Sequence, residues 1–147
     1  MKVALDFAFP DLTDDQKSRL GEVASEKLFA SGEIIIQQET VHDFLAVVIE
    51  GNARVLQKSY DQNNVEFTGP LGPGDVFGEM SFIDCQPSSA TLVADGDLRV
   101  LCFDREAVAK MIDNDHEFGA RFYHSVLLTM CRRIRKTNVR VRSAYQE

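Results

Sequence analysis

Between residues 27 and 104 the sequence alternates short apolar runs with turn-forming residues. The runs include EIIIQQ, FLAVVI, ARVLQK, SATLVA and LRVLCFD, and segments such as SG, EGN, SYDQNN, GPLGPGD and DGD separate them. Short runs bounded by Gly, Pro, Asn and Asp are typical of the strands of a barrel or sandwich. Residues 44–49 form a nearly continuous apolar run, so we expect them to be a central strand. Gly51-Asn52 predicts a tight hairpin, and residues 95–97 predict a turn.

Helical signals lie on both sides of this region. Thr13 followed by Gln16 has the spacing of a capping box and predicts a short helix up to about residue 24. Asp104 is placed to cap the helix REAVAKMI, which the DND at 113–115 ends. A longer helix is predicted from about 116 to 138. We expect one domain over 1–147, mainly β, with the strands at about 27–104 and C-terminal helices at about 105–138.

The composition is that of a globular chain. At 147 residues, with 44% hydrophobic and 27% charged side chains, the chain can bury a core. No apolar run approaches the roughly 20 residues of a membrane span, and the acid at Asp6 argues against a secretory signal. The three cysteines, Cys85, Cys102 and Cys131, are widely spaced. We therefore expect a cytoplasmic protein without disulfides and without membrane contact.

Charge is distributed unevenly along the chain. The net charge is -7, yet residues 116–147 hold seven Lys/Arg against two Asp/Glu, which leaves nine against 21 in the rest. An acidic body discourages nonspecific binding to nucleic acid. The basic residues between 132 and 142 either complement the dipole of a solvated helix end or dock onto an acidic partner.

Two apolar stripes run along the predicted last helix. Phe118, Phe122 and Val126 step by four and are expected to pack against the strands. A second stripe follows the 3-4 alternation of a coiled coil and includes Tyr123, Leu127, Met130 and Ile134. One helix with two apolar faces needs two surfaces to cover them. We therefore predict a homodimer through this helix.

The most specific segment is residues 73–94, PGDVFGEMSFIDCQPSSATLVA. FGE, a short helical turn, Pro, two small residues and an Ala-Thr strand form a strong signal in combination. With LTDDQKSRL, FASGEIII, FLAVVIEGNARV and LRVLCFD, this segment resembles the cyclic nucleotide-binding domain family, which includes the catabolite activator and the regulatory subunits of cyclic-AMP-dependent kinase. The resemblance implies an eight-stranded, jelly-roll-like β-roll with an N-terminal helix and C-terminal helices. It also implies cyclic AMP or cyclic GMP as the ligand, and no cofactor.

The resemblance assigns roles to residues of this segment. Gly78 allows the backbone to approach the ligand, and the free N–H groups of the following turn would bind an anion. Glu79 matches the carboxylate that accepts from the ribose 2′-hydroxyl, although a carboxylate in the first turn of a helix is also favoured by the dipole alone. The expected ligand-binding residues are Phe77, Gly78, Glu79, Met80, Ser88, Ser89, Ala90, Thr91 and Thr137.

The sequence departs from the family at Ser88, where an arginine usually binds the cyclic phosphate. A hydroxyl cannot replace the bidentate, charge-assisted contact of a guanidinium. We therefore expect weakened binding of cyclic AMP. Arg54 or Arg99 could enter from a neighbouring strand, but each is more typical of a surface strand residue. Thr137 stands at the distance at which the family uses a threonine to reach the purine, and it equally fits a polar position on a coiled-coil seam.

The sequence gives little support for an enzyme function. A metal site of the cupin type needs closely spaced histidines on strands, whereas His42 lies in a predicted turn and His116 and His124 lie on the last helix. No nucleophile triad, P-loop or dinucleotide motif is present. The catabolite activator continues into a DNA-binding domain for which this sequence has no room, so we expect no DNA binding. Two hypotheses remain: a ligand-responsive module that signals through an unidentified protein partner, or a ligand-free interaction and dimerisation module.

Overall fold

The computed structural model describes residues 1–66 and 68–146. Five helices are present in these residues: α1 (Lys2–Ala8), α2 (Asp14–Glu22), α3 (Glu79–Asp84), α4 (Arg105–Asn114) and α5 (His116–Ala144). The six strands of the same residues are β1 (Ala24–Phe29), β2 (Ile34–Ile36), β3 (Phe44–Lys58), β4 (Asn64–Val65), β5 (Val76–Phe77) and β6 (Thr91–Asp104).

Two long strands organise the sheet. The antiparallel strand order is β1-β6-β3-β4, with β2 also paired to β6 and β5 to β3. β3 and β6 pair along almost their whole length, from Phe44 opposite Asp104 to Leu56 opposite Thr91. The expected class, a mainly β, jelly-roll-like fold with flanking helices, is confirmed.

The predicted hairpin at Gly51-Asn52 and the turn at 95–97 are wrong. β3 runs through Gly51 (φ +89°) and β6 runs through Gly96 (φ +80°), and the pairing register shifts on both sides of Glu50. A Cβ on Gly51 would lie 2.2 Å from the carbonyl oxygen of Asp97, so only glycine fits. Each glycine marks a bulge that bends a continuous strand. For this reason the described residues form six strands rather than the expected eight.

The alternation of side chains along β3 divides the core into two parts. Leu45 and Val47 belong to a cluster with the helices, whereas Ala46 and Val48 belong to a cluster inside the roll. All four side chains are fully buried. Because successive side chains of a strand point to opposite faces, this burial means that both faces of β3 are covered. The prediction of a central strand at 44–49 is confirmed.

Local capping signals set the helix ends. The hydroxyl of Thr13 accepts from the Gln16 N–H, and the Gln16 side chain accepts from the Thr13 N–H, so the predicted capping box is present. Asp104 caps α4 by accepting from Ala107 N–H at 3.0 Å. Asp115 caps α5, which extends to Ala144, beyond the expected end near 138. Helix α1 was not predicted.

None of the described helices is both long and apolar enough to cross a membrane. Across 1–66 and 68–146, no three His, Cys, Asp or Glu side chains are grouped so as to hold a metal ion. Cys85, Cys102 and Cys131 are free thiols. Burial of Cys102 raises the pKa of its thiol, which makes this thiol a poor nucleophile.

Candidate functional site

Gly78 turns the chain from β5 into α3. Its φ is +77°, and a Cβ there would lie 2.9 Å from both His42 Nε2 and the Phe44 carbonyl oxygen. A side chain is therefore excluded by backbone conformation and by space. The turn directs Glu79, the first residue of α3, into the protein, where the residue is only 3% exposed.

Arg105 holds the other end of α3. Its Nε donates to the Phe82 carbonyl at 3.2 Å, and its Nη2 donates to the His42 carbonyl at 3.1 Å and to the Ser81 carbonyl. These contacts tie the last turn of α3 to the segment before β3, and the Ser81 carbonyl also accepts from the Cys85 N–H at 2.9 Å. Arg105 is not among the residues that the sequence predicted for the site, because Phe82, which it holds, is 23 positions away.

A cavity of about 550 Å³ opens between α3, the inner face of the roll and the C-terminal half of α5. Its walls are mostly apolar and include Ile36, Leu71, Phe77, Leu92, Met130 and Ile134. Its charged lining side chains are the carboxylates Asp75 and Glu79 and the cations Arg133 and Lys136. A mainly apolar cavity of this size with a few converging polar groups is typical of small-molecule sites.

Arg133 crosses the cavity to reach Glu79. Its Nη1 donates to Oε1 of Glu79, and the two side chains are 27% and 4% exposed. The residues lie 54 positions apart, so α5 is tied directly to α3. In the sequence Arg133 is one of the basic residues between 132 and 142, and nothing there predicts Glu79 as its partner.

The hydroxyl of Ser88 is already engaged within its own loop. It donates to the Ala90 carbonyl at 2.7 Å, and the Ser88 N–H donates to the Thr40 carbonyl at 2.8 Å. Ser89 is exposed, and its carbonyl accepts from Gln57 Nε2 at 3.3 Å. The Ser88 hydroxyl therefore forms a hydrogen bond within the loop, whereas the Ser89 hydroxyl does not.

Most of the predicted ligand-binding residues line this one cavity. They are Phe77, Gly78, Glu79, Met80, Ser88, Ser89, Ala90 and Thr137. Thr91 does not line it, because its hydroxyl accepts from the Gln38 N–H at 2.9 Å and from Gln37 Nε2 at 3.3 Å. The roles of these residues toward a ligand stay predictions. Lining residues that sequence reasoning missed include His42, Gln57, Thr68 and Lys136, which carry no local motif.

The two arginines that could have replaced the missing phosphate-binding arginine do not lie at the cavity. Arg54 pairs with Glu66 at 3.4 Å, and Arg99 pairs with Glu26 and Glu50 at 3.4 and 3.3 Å. Neither lines the cavity. Both therefore have the surface positions that the sequence favoured.

The predicted dimer stripe divides between two environments. Tyr123 and Leu127 are 42% and 56% exposed. Met130 and Ile134 line the cavity, although Ile134 is also 57% exposed. Tyr123, Leu127 and Ile134 are therefore all exposed, and the C-terminal end of the stripe also borders the cavity.

The model of the cyclic nucleotide-binding domain family matches residues 26–115, which include most of β1, all of β2 to β6, α3 and α4. The chain belongs to this family. Among curated relatives, the cGMP-dependent protein kinase, isozyme 2 forms cD5/T2, of Drosophila melanogaster is 30% identical over 117 residues, which are 78% of this chain and 12% of the kinase. The chain thus spans about one eighth of that relative.

Solved members of the cyclic nucleotide-binding domain family share the fold. A cyclic nucleotide-binding domain from Methylobacillus flagellatus superposes with a TM-score of 0.90 at 19% identity, covering 97% of this chain and 83% of that one. The regulatory domain of Toxoplasma gondii PKA, crystallised with cAMP, gives a TM-score of 0.68 at 22% identity over 75% of this chain and 43% of that one.

Proposed function

We propose that the cavity binds a cyclic nucleotide or a related anionic ligand, and that its occupancy is passed on to a protein partner. Family membership supports a nucleotide. The Drosophila relative is a cGMP-dependent kinase and the Toxoplasma domain was crystallised with cAMP, so both ligands are candidates. The chain would act as a regulatory module rather than an enzyme. A cytoplasmic location stays a prediction of the sequence.

One observation carries this proposal. Four buried side-chain polar atoms lack a hydrogen-bond partner within the described residues, and three of them, His42 Nδ1, Thr68 Oγ1 and Arg133 Nη2, belong to residues that line the cavity. Leaving such a group unpaired costs about 1–3 kcal/mol. Three of them around one cavity support a ligand that supplies the missing partners.

The proposed contacts use the lone pairs and hydroxyl protons that are not already engaged within the protein. Glu79 would accept from the ribose 2′-hydroxyl with the lone pairs that Arg133 does not use. Ser89 would donate to the phosphate, since the hydroxyl proton of Ser88 is held by Ala90. Without a guanidinium at position 88, cyclic AMP would bind more weakly by about 2–5 kcal/mol.

Isothermal titration calorimetry with cyclic AMP and cyclic GMP tests the proposal. The native chain should show saturable binding, and Glu79→Gln should weaken it. Glu106→Gln, which changes an exposed carboxylate of α4, should bind like the native chain. Ser88→Arg should tighten cyclic AMP by roughly thirty- to several-thousand-fold. Failure of the native chain to bind either nucleotide at millimolar concentration would overturn the proposal.

The second candidate function is a ligand-free interaction module. Its support is the Arg133–Glu79 pair, which fills the position of the ribose contact with a side chain of the protein itself. This candidate predicts no binding by the native chain but recovered binding by Ser88→Arg. Saturable binding by the native chain would exclude it.

We also propose a homodimer through the N-terminal part of α5. The exposed apolar side chains of Tyr123 and Leu127 support it, because a coiled-coil seam would cover them. Light scattering of the native chain should give the mass of a dimer, and Leu127→Asp should give a monomer. Val41→Asp, which changes an equally exposed residue outside α5, is the control. A monomeric native chain at all concentrations would contradict the dimer.

A further inference from the structure

The positive charge that faces the cavity lies on α5 and not on the segment that carries α3. Arg133 and Lys136 are the arginine and lysine side chains among the described residues that line the cavity. They are three positions apart on one helix and therefore share a face. Ser88, Ser89 and Ala90, which also line the cavity, supply no cation.

The two cations differ in what they already bind. Arg133 gives Nη1 to Glu79, while its Nη2 is buried and has no partner within the described residues. Lys136 forms none of the ion pairs found in residues 1–66 and 68–146. Among these residues Arg133 thus has one buried guanidinium nitrogen without a partner, and the exposed Lys136 has an ammonium group outside these ion pairs.

We propose that Lys136 and Nη2 of Arg133 form the anion subsite of this cavity, in place of the arginine that Ser88 replaces. The inference rests on the proposed function, and it identifies the positive charge that would take the place of the missing arginine. The matching chemistry is a singly charged phosphodiester, whose oxygens accept charge-assisted hydrogen bonds from both groups. A mostly apolar surrounding strengthens such contacts relative to water.

This placement has a mechanical consequence. An arginine in the loop at 88–90 would hold a phosphate whether or not α5 were in place. Cations on α5 can hold it only when the helix lies over the cavity. The anion of the ligand would therefore link α5 to the sheet. Ligand binding would shift the equilibrium toward the state in which the helix lies over the cavity.

Calorimetry with cyclic AMP on the full chain tests the subsite through three variants. Lys136→Gln removes the charge and should weaken binding by about tenfold or more. Lys136→Arg keeps the charge and should bind within a few fold of the native chain. Arg135→Gln changes the adjacent exposed cation, which does not line the cavity, and should also bind like the native chain. Circular dichroism verifies that each variant is folded.

The outcomes separate the subsite from the proposed function. If the native chain binds and Lys136→Gln binds equally well, the anion subsite is wrong and the nucleotide function stands. Equal weakening by Lys136→Arg and Lys136→Gln would also reject the subsite, because the charge would not be the cause. No binding by the native chain would overturn both.

Discussion

The two halves of α5 are held to the protein by different forces. In residues 116–129, Phe118, Phe122 and Val126 are buried against the other helices and the sheet. In residues 130–144 no described side chain is buried. Met130, at the start of this half, packs on the core cluster, and the contacts beyond it include the ion pair of Arg133 with Glu79. The first half is a fixed part of the core, whereas the second half is a cover over the cavity.

This difference indicates which half can respond to a ligand. Burial of a large apolar side chain stabilises by about 1.5–3 kcal/mol whatever occupies the cavity. A hydrogen bond between charged groups, such as that of Arg133 with Glu79, contributes about 1.5–3 kcal/mol, but a ligand group can replace it. Helix α3 touches both halves, since Phe82 lies 5.9 Å from Phe122 between ring centroids while Glu79 binds Arg133. A ligand at Glu79 would thus change the second half and leave the first in place.

The largest effect is expected at Phe122. This ring is fully buried and contacts the rings of Phe9, Phe82 and Phe118. Phe122→Ala should lower the free energy of unfolding by about 3–5 kcal/mol because it removes apolar contacts and leaves a cavity. Ile134→Ala, in the exposed half, should change it by less than about 0.5 kcal/mol. Urea denaturation measures the free energy of unfolding of both variants. Similar losses in the two would contradict the difference between the two halves of α5.

Arg133→Leu should have the next largest effect. It leaves the carboxylate of Glu79, only 3% exposed, without its cation, at a cost of about 1–3 kcal/mol. Hydrogen exchange should become faster at amides 131–144 and stay unchanged at 116–129, since the apolar half keeps its packing. Arg135→Leu, at an exposed position on the same helix, is the control. Faster exchange throughout α5 would show that the halves are not independent.

The sequence predicted those features that depend on neighbours along the chain. The capping box at Thr13 and the cap at Asp104 involve residues three positions apart, and the apolar period of α5 marked the buried face at Phe118 and Phe122. A glycine with positive φ fits a turn and a bulge equally well, and only the pairing of β3 with β6 identifies Gly51 as part of a bulge. Local chemistry alone does not distinguish the two.

The site was predicted only in part, for a related reason. The motif placed Glu79, Ser88 and Ser89 at the cavity because a single segment carries them. The cations that face these residues come from α5, and a contact over 54 positions leaves no local signal. The engaged hydroxyl of Ser88 depends on the loop backbone, which residue types do not specify.

A smaller effect is expected at Gly119, where α5 approaches α4. A Cβ at this position would lie 2.8 Å from Cγ2 of Ile112. Gly119→Ala should destabilise by about 1 kcal/mol, because the displaced side chain outweighs the gain in helix propensity. Gly21→Ala in α2 meets nothing within 4 Å and should instead stabilise by up to about 1 kcal/mol. Thermal denaturation of the two variants should give shifts of opposite sign, and shifts of the same sign would contradict close packing of the first half of α5.

The smallest effect concerns the cap of the first half and depends on pH. The carboxylate of Asp115 accepts from the Phe118 N–H at 3.1 Å and pairs with Arg19 at 3.2 Å. The hydrogen bond from Phe118, followed by that from Arg19, holds the pKa of Asp115 below its ordinary value. Because the folded-state pKa is the lower one, the charged form stabilises the fold at neutral pH, and this stabilisation is lost as the pH falls through the acid range.

Asp115→Asn isolates the charge, since asparagine also caps helices well. The variant should be slightly less stable than the native chain at pH 7, and the difference should shrink as the pH falls below about 4. Asp113→Asn, at an exposed position near the end of α4, controls for the loss of one negative charge. Thermal midpoints of the three proteins across pH measure the effect. A difference that persists unchanged in acid would mean that the carboxylate charge does not stabilise the cap, and that apolar packing alone fixes the first half of α5.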